Sequence, residues 1–142
     1  MHHEPILRRE DARLLTGAGR YAADWMLPGL LHAAFVRADR AHARIVRLDA
    51  DAARAAPGVR AVLTHADVAH QAWPPCFVNF PGKGGQTIRQ PPRPILAHER
   101  VRFVGEAIAM IVADTLAEAL DACERVAVEY EELPVIADPE DA

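Results

Sequence analysis

The side chains able to do chemistry in this sequence are few, and their spacing decides most of what they can do. His42 lies in "VRADRAHARIVRLD", with Arg37 and Asp39 before it and Arg44 and Asp49 after it. A general base needs a nucleophile or substrate pocket within reach, and no neighbour supplies either. The expectation is an imidazole bridging backbone groups of a turn, with Arg37 and Arg44 paired to Asp39 and Asp49. Cys76 follows two prolines in what reads as an exposed loop. Nothing near it in the chain, neither a helix N-terminus nor a cation, would lower its pKa. His65 and His70 are spaced to fall on different faces of a helix, and no C-x-x-C or H-E-x-x-H pattern occurs. Surface histidines are therefore expected in place of a metal site. The chain contains no serine, which removes the serine hydrolases.

Two glycine-rich stretches mimic phosphate-binding motifs. "GAGRYA", Gly17–Ala22, fits G-x-G-x-x-A, with Asp39 about 20 residues on for a ribose contact. That fingerprint needs a buried strand before it and a helix after it, so that pyrophosphate meets the helix N-terminus. Here a charged helical stretch precedes it and Pro28-Gly29 block a following helix. In "PGKGGQT", Lys83 comes before the glycine pair and has no Ser/Thr beside it, so the P-loop pattern is absent.

The elements that would position these residues read as follows. Arg9–Thr16 has helical spacing and stops at Gly17. "LLHAAFVRA" reads as a strand after the Pro28-Gly29 turn. Two β-α-β-like units follow. In the first, the strand "ARIVRLD" leads to a short helix "ADAARAA", ended by Pro57-Gly58, and then to the strand "VRAVLT". In the second, the apolar run "AIAMIVA" reads as a strand buried on both faces. Thr115 and Glu118 then form a capping box. Leu116, Leu120 and Cys123 share one helix face, and "VAVEY" alternates as the closing strand. The expected fold is α+β, with a mixed sheet, in one domain over 1–142.

Between the units, residues 71–94 show little periodicity and hold six of the eleven prolines. Loops this long are often functional or interfacial. Trp73, Phe77 and Phe80 lie in it. They belong either to a loose insertion or to a surface that packs against something outside this chain. The acidic end reads as a strand exit, with Asp138-Pro139 a possible domain boundary.

Composition sets the outer limits. The 142 residues are 51% hydrophobic and 25% charged, ordinary for a globular domain, with a net charge of −4. That charge argues against nucleic-acid binding. No apolar run is long enough for membrane insertion, and no signal-peptide order is seen at the start. Two cysteines without close spacing give no disulfide framework, so a cytoplasmic location is expected.

Four blocks together carry a resemblance: "RREDARLLTGAGRYAADWMLPGLLHAAFVRADRAHARIVRLD", "APGVRAVLTHADV", "RPILAHERVRFVGEAIAMIVADT" and "VAVEYEELPVIADPEDA". In order and spacing the chain resembles the N-terminal α/β-hammerhead domain of the molybdenum hydroxylase large subunit. Relatives of this kind include aldehyde oxidase, xanthine dehydrogenase and carbon monoxide dehydrogenase. The block from Arg8 to Tyr21 resembles the bacterial separate-subunit type more than the fused eukaryotic arrangement. Asp11, Arg13, Leu14, Gly17, Gly19 and Tyr21 match the opening motif. Arg37, His42, Ala43 and Arg44 match an R-x-x-x-A-H-A-R pattern, and Gly105 and Glu106 match a V-G-E turn.

The resemblance implies a holoenzyme that hydroxylates aldehydes or N-heterocycles with water as oxygen source. Its electrons would pass from molybdopterin with Mo through [2Fe–2S] clusters, often to FAD. The cofactor-holding and catalytic residues of the family belong to a region beyond this domain, so no catalytic, cofactor or metal residue is assigned here. The implied partners are that molybdenum-cofactor-binding region and the iron–sulfur and FAD subunits. By the same resemblance, Trp73, Phe77 and Phe80 lie toward the substrate channel. Two other readings stay open: a free-standing binding module that grips a ligand with the 71–94 loop, and an enzyme acting through Cys76.

Overall fold

A computed structural model of the chain describes residues 8–71, 80–87, 91, 93–138 and 140. It divides into two compact units, Met1–Leu30 and Leu31–Ala142. Among the described residues, no helix is long and apolar enough to cross a membrane.

In the first unit, α1 (Asp11–Leu15) is a helix of little more than one turn. It ends in a Schellman motif. The Ala18 N–H donates to the Arg13 carbonyl at 2.8 Å and the Gly17 N–H to that of Leu14 at 3.2 Å. The motif needs a left-handed residue at Gly17, whose φ is +73°. The "GAG" run is thus a helix stop, which is why it lacks the helix a dinucleotide site would need.

The second unit begins with β1 (His32–Arg37) and β2 (Ala43–Asp49). Helix α2 (Asp51–Arg54), β3 (Val59–Leu63) and α3 (His65–Val68) follow. After residues 71–94 come β4 (Arg100–Val101), β5 (Ala107–Ala113), α4 (Leu116–Cys123) and β6 (Ala127–Glu132). The α+β class expected from the sequence holds, but the strands do not share one mixed sheet. They form two three-stranded sheets, in the orders β1-β5-β3 and β4-β2-β6. Every pairing among them is antiparallel. Each strand–helix–strand segment therefore crosses from one sheet to the other.

The core lies where the sheets and helices meet. Ile111 and Val62 pack with Ala50, Ala53, Ala56 and Ala122, while Ile108 and Val101 pack with Ala38, Ala43 and Ala97. Leu48 of β2 touches both groups and joins them.

Helix α4 carries the expected cap. The Thr115 hydroxyl accepts from the Glu118 N–H, and the Glu118 carboxylate accepts from the Thr115 N–H at 3.0 Å. Its buried side is formed by alanines, with Cys123 beside them, and not by Leu116 and Leu120. Ala119 and Ala122 are fully buried, whereas Leu116 and Leu120 are 51% and 52% exposed. Two alanines let the helix backbone approach the sheet closely, which turns the flanking leucines outward.

Candidate functional site

The positions singled out in the sequence gather at three places. The first is the end of α1. Arg13 and Leu14 supply the carbonyls of the Schellman motif, and the Gly19 N–H also donates to Arg13 at 2.9 Å. A Cβ on Gly19 would run into the Leu14 side chain. Asp11 opens the helix, and the Tyr21 N–H donates to the Asp24 carboxylate at 2.8 Å.

The second is the turn before β5. Glu106 N–H donates to the Phe103 carbonyl at 3.3 Å, and Gly105 has φ +90°, as the third residue of a type II turn requires. Arg37, at the end of β1, donates from Nη1 to the Gly105 carbonyl at 2.8 Å. The backbone closes the same junction, Gly105 N–H to Ala38 carbonyl at 2.8 Å and Ala38 N–H to Glu106 carbonyl at 2.9 Å. The Glu106 side chain is only 12% exposed; it accepts from the Arg102 N–H at 2.6 Å and faces the Arg102 guanidinium at 3.7 Å. Its acceptor oxygens serve its own turn, so it positions backbone.

The third is the start of β2. His42 Nδ1 lies 2.7 Å from the Pro134 carbonyl oxygen. A carbonyl only accepts, so Nδ1 must carry the proton. The His42 carbonyl in turn accepts from the Leu133 N–H at 3.0 Å. His42 thus clamps the start of β2 to the chain that leaves β6. Arg44 pairs with Glu131 at 3.2 Å, directly across the strands. The expected pairing of Arg37 and Arg44 with Asp39 and Asp49 does not occur. Asp49 is held by Arg47 at 2.7 Å and Asp39 faces Arg40 at 3.7 Å. Strand register brings Glu131 and Glu129 of β6 opposite Arg44 and Arg47 of β2, while Asp39 and Asp49 are taken by nearer arginines, Arg40 and Arg47.

Trp73, Cys76 and Phe77 lie outside the described residues, while Phe80 is described and exposed. Cys123 is half-buried and burial pushes its thiol pKa up, the opposite of what a nucleophile needs. Burial also raises the Tyr130 pKa, helped by the Asp39 charge.

His98 carries no motif in the sequence. Its ring stacks on His65, centroids 4.3 Å apart and planes 13° from parallel. His65 Nδ1 lies 3.2 Å from the Leu96 carbonyl oxygen. Stacked rings do not converge on a shared ion, and nothing in the local sequence of either residue signals the contact.

Among the described residues no group of three His, Cys, Asp or Glu could hold a metal ion. A depression of about 280 Å³ is lined by Arg44, Ile45, Glu99 and Arg100. Small-molecule sites are usually larger and walled mainly by apolar groups. The described donor set fits neither molybdenum nor an iron–sulfur cluster.

Residues 16–134 match the family described as the aldehyde oxidase and xanthine dehydrogenase a/b hammerhead domain. The chain belongs to that family. It is 43% identical, over 94% of its length, to the nicotine 6-hydroxylase large subunit of Paenarthrobacter nicotinovorans, of which it covers 16%. It is also 43% identical to the carbon monoxide dehydrogenase large chain of Hydrogenophaga pseudoflava, again over 94% of this chain and 16% of that one. Among solved structures, quinoline 2-oxidoreductase from Pseudomonas putida 86 superposes with a TM-score of 0.82. The identity there is 47%, over 96% of this chain and 17% of the other. The chain thus spans about a sixth of the length of these relatives.

Proposed function

We propose that this chain serves as a structural and assembly domain of a molybdopterin-dependent hydroxylase large subunit, and is not catalytic alone. The observation that carries the reading is the match of most of the chain to a hammerhead domain whose relatives are several times longer. The described residues support it. Their motif positions hold turns and strand ends together, and no acid, base and nucleophile converge.

The relatives are named for nicotine and carbon monoxide, and the structural neighbour for quinoline. At comparable identity the same domain stands beside different substrates, which favours a role in shape over a role in substrate choice. On this reading the holoenzyme hydroxylates an aldehyde or N-heterocycle with water as oxygen source. Molybdopterin, iron–sulfur clusters and FAD are held elsewhere, and the enzyme is cytoplasmic. Residues 1–142 act as one domain, with Trp73, Phe77 and Phe80 set toward substrate access.

The test is direct. Purified residues 1–142 should oxidise no aldehyde or N-heterocycle with an artificial electron acceptor, and should carry no molybdenum by elemental analysis. Co-expressed with the molybdopterin-binding region, they should co-purify with it. Turnover or tightly held molybdenum in the isolated chain would overturn the reading.

A further inference from the structure

We propose that two outward-facing arginines, Arg44 of β2 and Arg100 of β4, form a binding site for a phosphate-type oxyanion. Register sets them directly opposite each other across the β2–β4 ladder. The next residue of β2, Ile45, donates its N–H to the Glu99 carbonyl at 2.7 Å. Hydrogen-bonded and non-hydrogen-bonded pairs alternate, so the arginines make the second kind, in which side chains approach most closely. Ala43 beside Arg44 and Val101 beside Arg100 are fully buried, and strand alternation turns both arginines to the outer side of the sheet. Together with Ile45 and Glu99 they line the depression of about 280 Å³.

Like charges directly opposite each other in an antiparallel ladder are destabilising, and an anion held between them removes that penalty. The acids nearby do so only in part. Glu131 pairs with Arg44 at 3.2 Å, but from β6, on the side of β2 away from β4. The Glu99 carboxylate lies 3.7 Å from His98 Nε2, and among the described residues Arg100 has no ion-pair partner. The backbone at this point is also strained. The Arg100 N–H donates to the His98 carbonyl, closing a γ-turn on Glu99. Glu99, with φ +58°, is the only non-glycine among the described residues whose φ is positive. Strain of this kind clusters at ligand sites, and here it falls on the edge of the depression, immediately before Arg100.

The class of ligand follows from the guanidinium group. Each one presents a planar fork of N–H donors that matches two oxygens of a carboxylate or a phosphate. One fork occupies both oxygens of a carboxylate, whereas a tetrahedral phosphate keeps oxygens for the second. The depression is smaller than most organic ligands need, which suits an ion. Inorganic phosphate and the phosphoryl end of an organic molecule share this chemistry.

The test is calorimetric titration of the intact large subunit at neutral pH, with ionic strength held constant by chloride. Inorganic phosphate and phenyl phosphate are the probes. Inorganic phosphate should saturate one site per chain, and Arg100→Gln should weaken it about tenfold, as expected for loss of a charge-assisted fork. Glu99→Gln removes the carboxylate that lines the depression and should tighten binding several-fold. Phenyl phosphate competing for the same site would identify the occupant as the phosphoryl end of an organic molecule, and its exclusion would identify the free ion. No saturable phosphate binding, or binding unchanged in Arg100→Gln, would overturn the proposal. Should that variant not fold, modification of the native subunit by phenylglyoxal, mapped by mass spectrometry, decides. Phosphate should slow the modification of Arg44 and Arg100 more than that of the exposed Arg125. Equal slowing at all three, or none, would end it.

Discussion

At the scale of single residues, Gly58 shows how a turn and a helix cap constrain one another. Its φ is +74°, and a Cβ there would run into the carboxylate of Glu118. That carboxylate is the one that closes the cap on Thr115, with the Thr115 hydroxyl donating to it at 2.8 Å. Gly58→Ala should therefore cost on two counts, left-handed strain and a displaced cap, together about 2 kcal/mol. Thr115→Ala alone should cost about 1 kcal/mol. In the double variant the cap is already lost, so the two penalties should sum to less than their separate values. Urea unfolding of the four proteins measures this, and strict additivity would show that Glu118 does not couple the two sites. The cap was legible in the sequence because it is local. The part played by Gly58 was not, since it depends on a turn and a helix some sixty residues apart being in contact.

At the scale of elements, the same division between local and distant information recurs. The strands β2 and β5 run over the stretches their β-branched and apolar residues pick out, "ARIVRLD" and "AIAMIVA". What the pattern does not encode is which strand pairs with which. That is set by register between distant segments, as when Ile111 comes to lie between Ala34 and Val62. Which side of α4 is buried is hidden for a related reason. Periodicity marks apolar positions but does not weigh leucine against alanine where close approach is wanted. The motif residues fared likewise: Arg37 finds Gly105, and His42 finds Pro134, through contacts with no signature in the sequence.

Charge also ties one element to another. Arg60 on β3 makes a two-pronged contact to Asp114, just after β5, through Nε at 2.8 Å and Nη2 at 2.7 Å. This hydrogen bonding holds the Asp114 carboxyl below its ordinary value. A carboxylate whose folded pKa is depressed adds stability above its unfolded pKa and loses it as pH falls through the folded value. Asp114→Asn should thus lower Tm at neutral pH and flatten the fall in Tm below about pH 4. Thermal melts across that range check it. Parallel Tm curves for the two proteins would mean that the pair contributes nothing.

At the scale of the whole molecule, the large apolar side chains are in an unusual place. Among the described residues, eleven of the sixteen buried apolar ones are alanines, and the largest fully buried side chains are Ile108, Ile111 and Val101. Meanwhile Phe35, Val46, Phe103, Val104, Leu116 and Leu120 are exposed. Burying a leucine or phenylalanine stabilises by roughly 1.5–3 kcal/mol, and an alanine methyl by about 0.8. The described residues thus leave much of their apolar surface outside, as expected of a domain that reaches full stability only in a larger assembly. Residues 1–142 alone should bind the dye ANS, and their β5 amides should exchange faster than the same amides in the intact large subunit. Equal exchange in the two settings, with no dye binding, would mean that the alanine-rich core suffices, and the surplus apolar surface would then need another explanation.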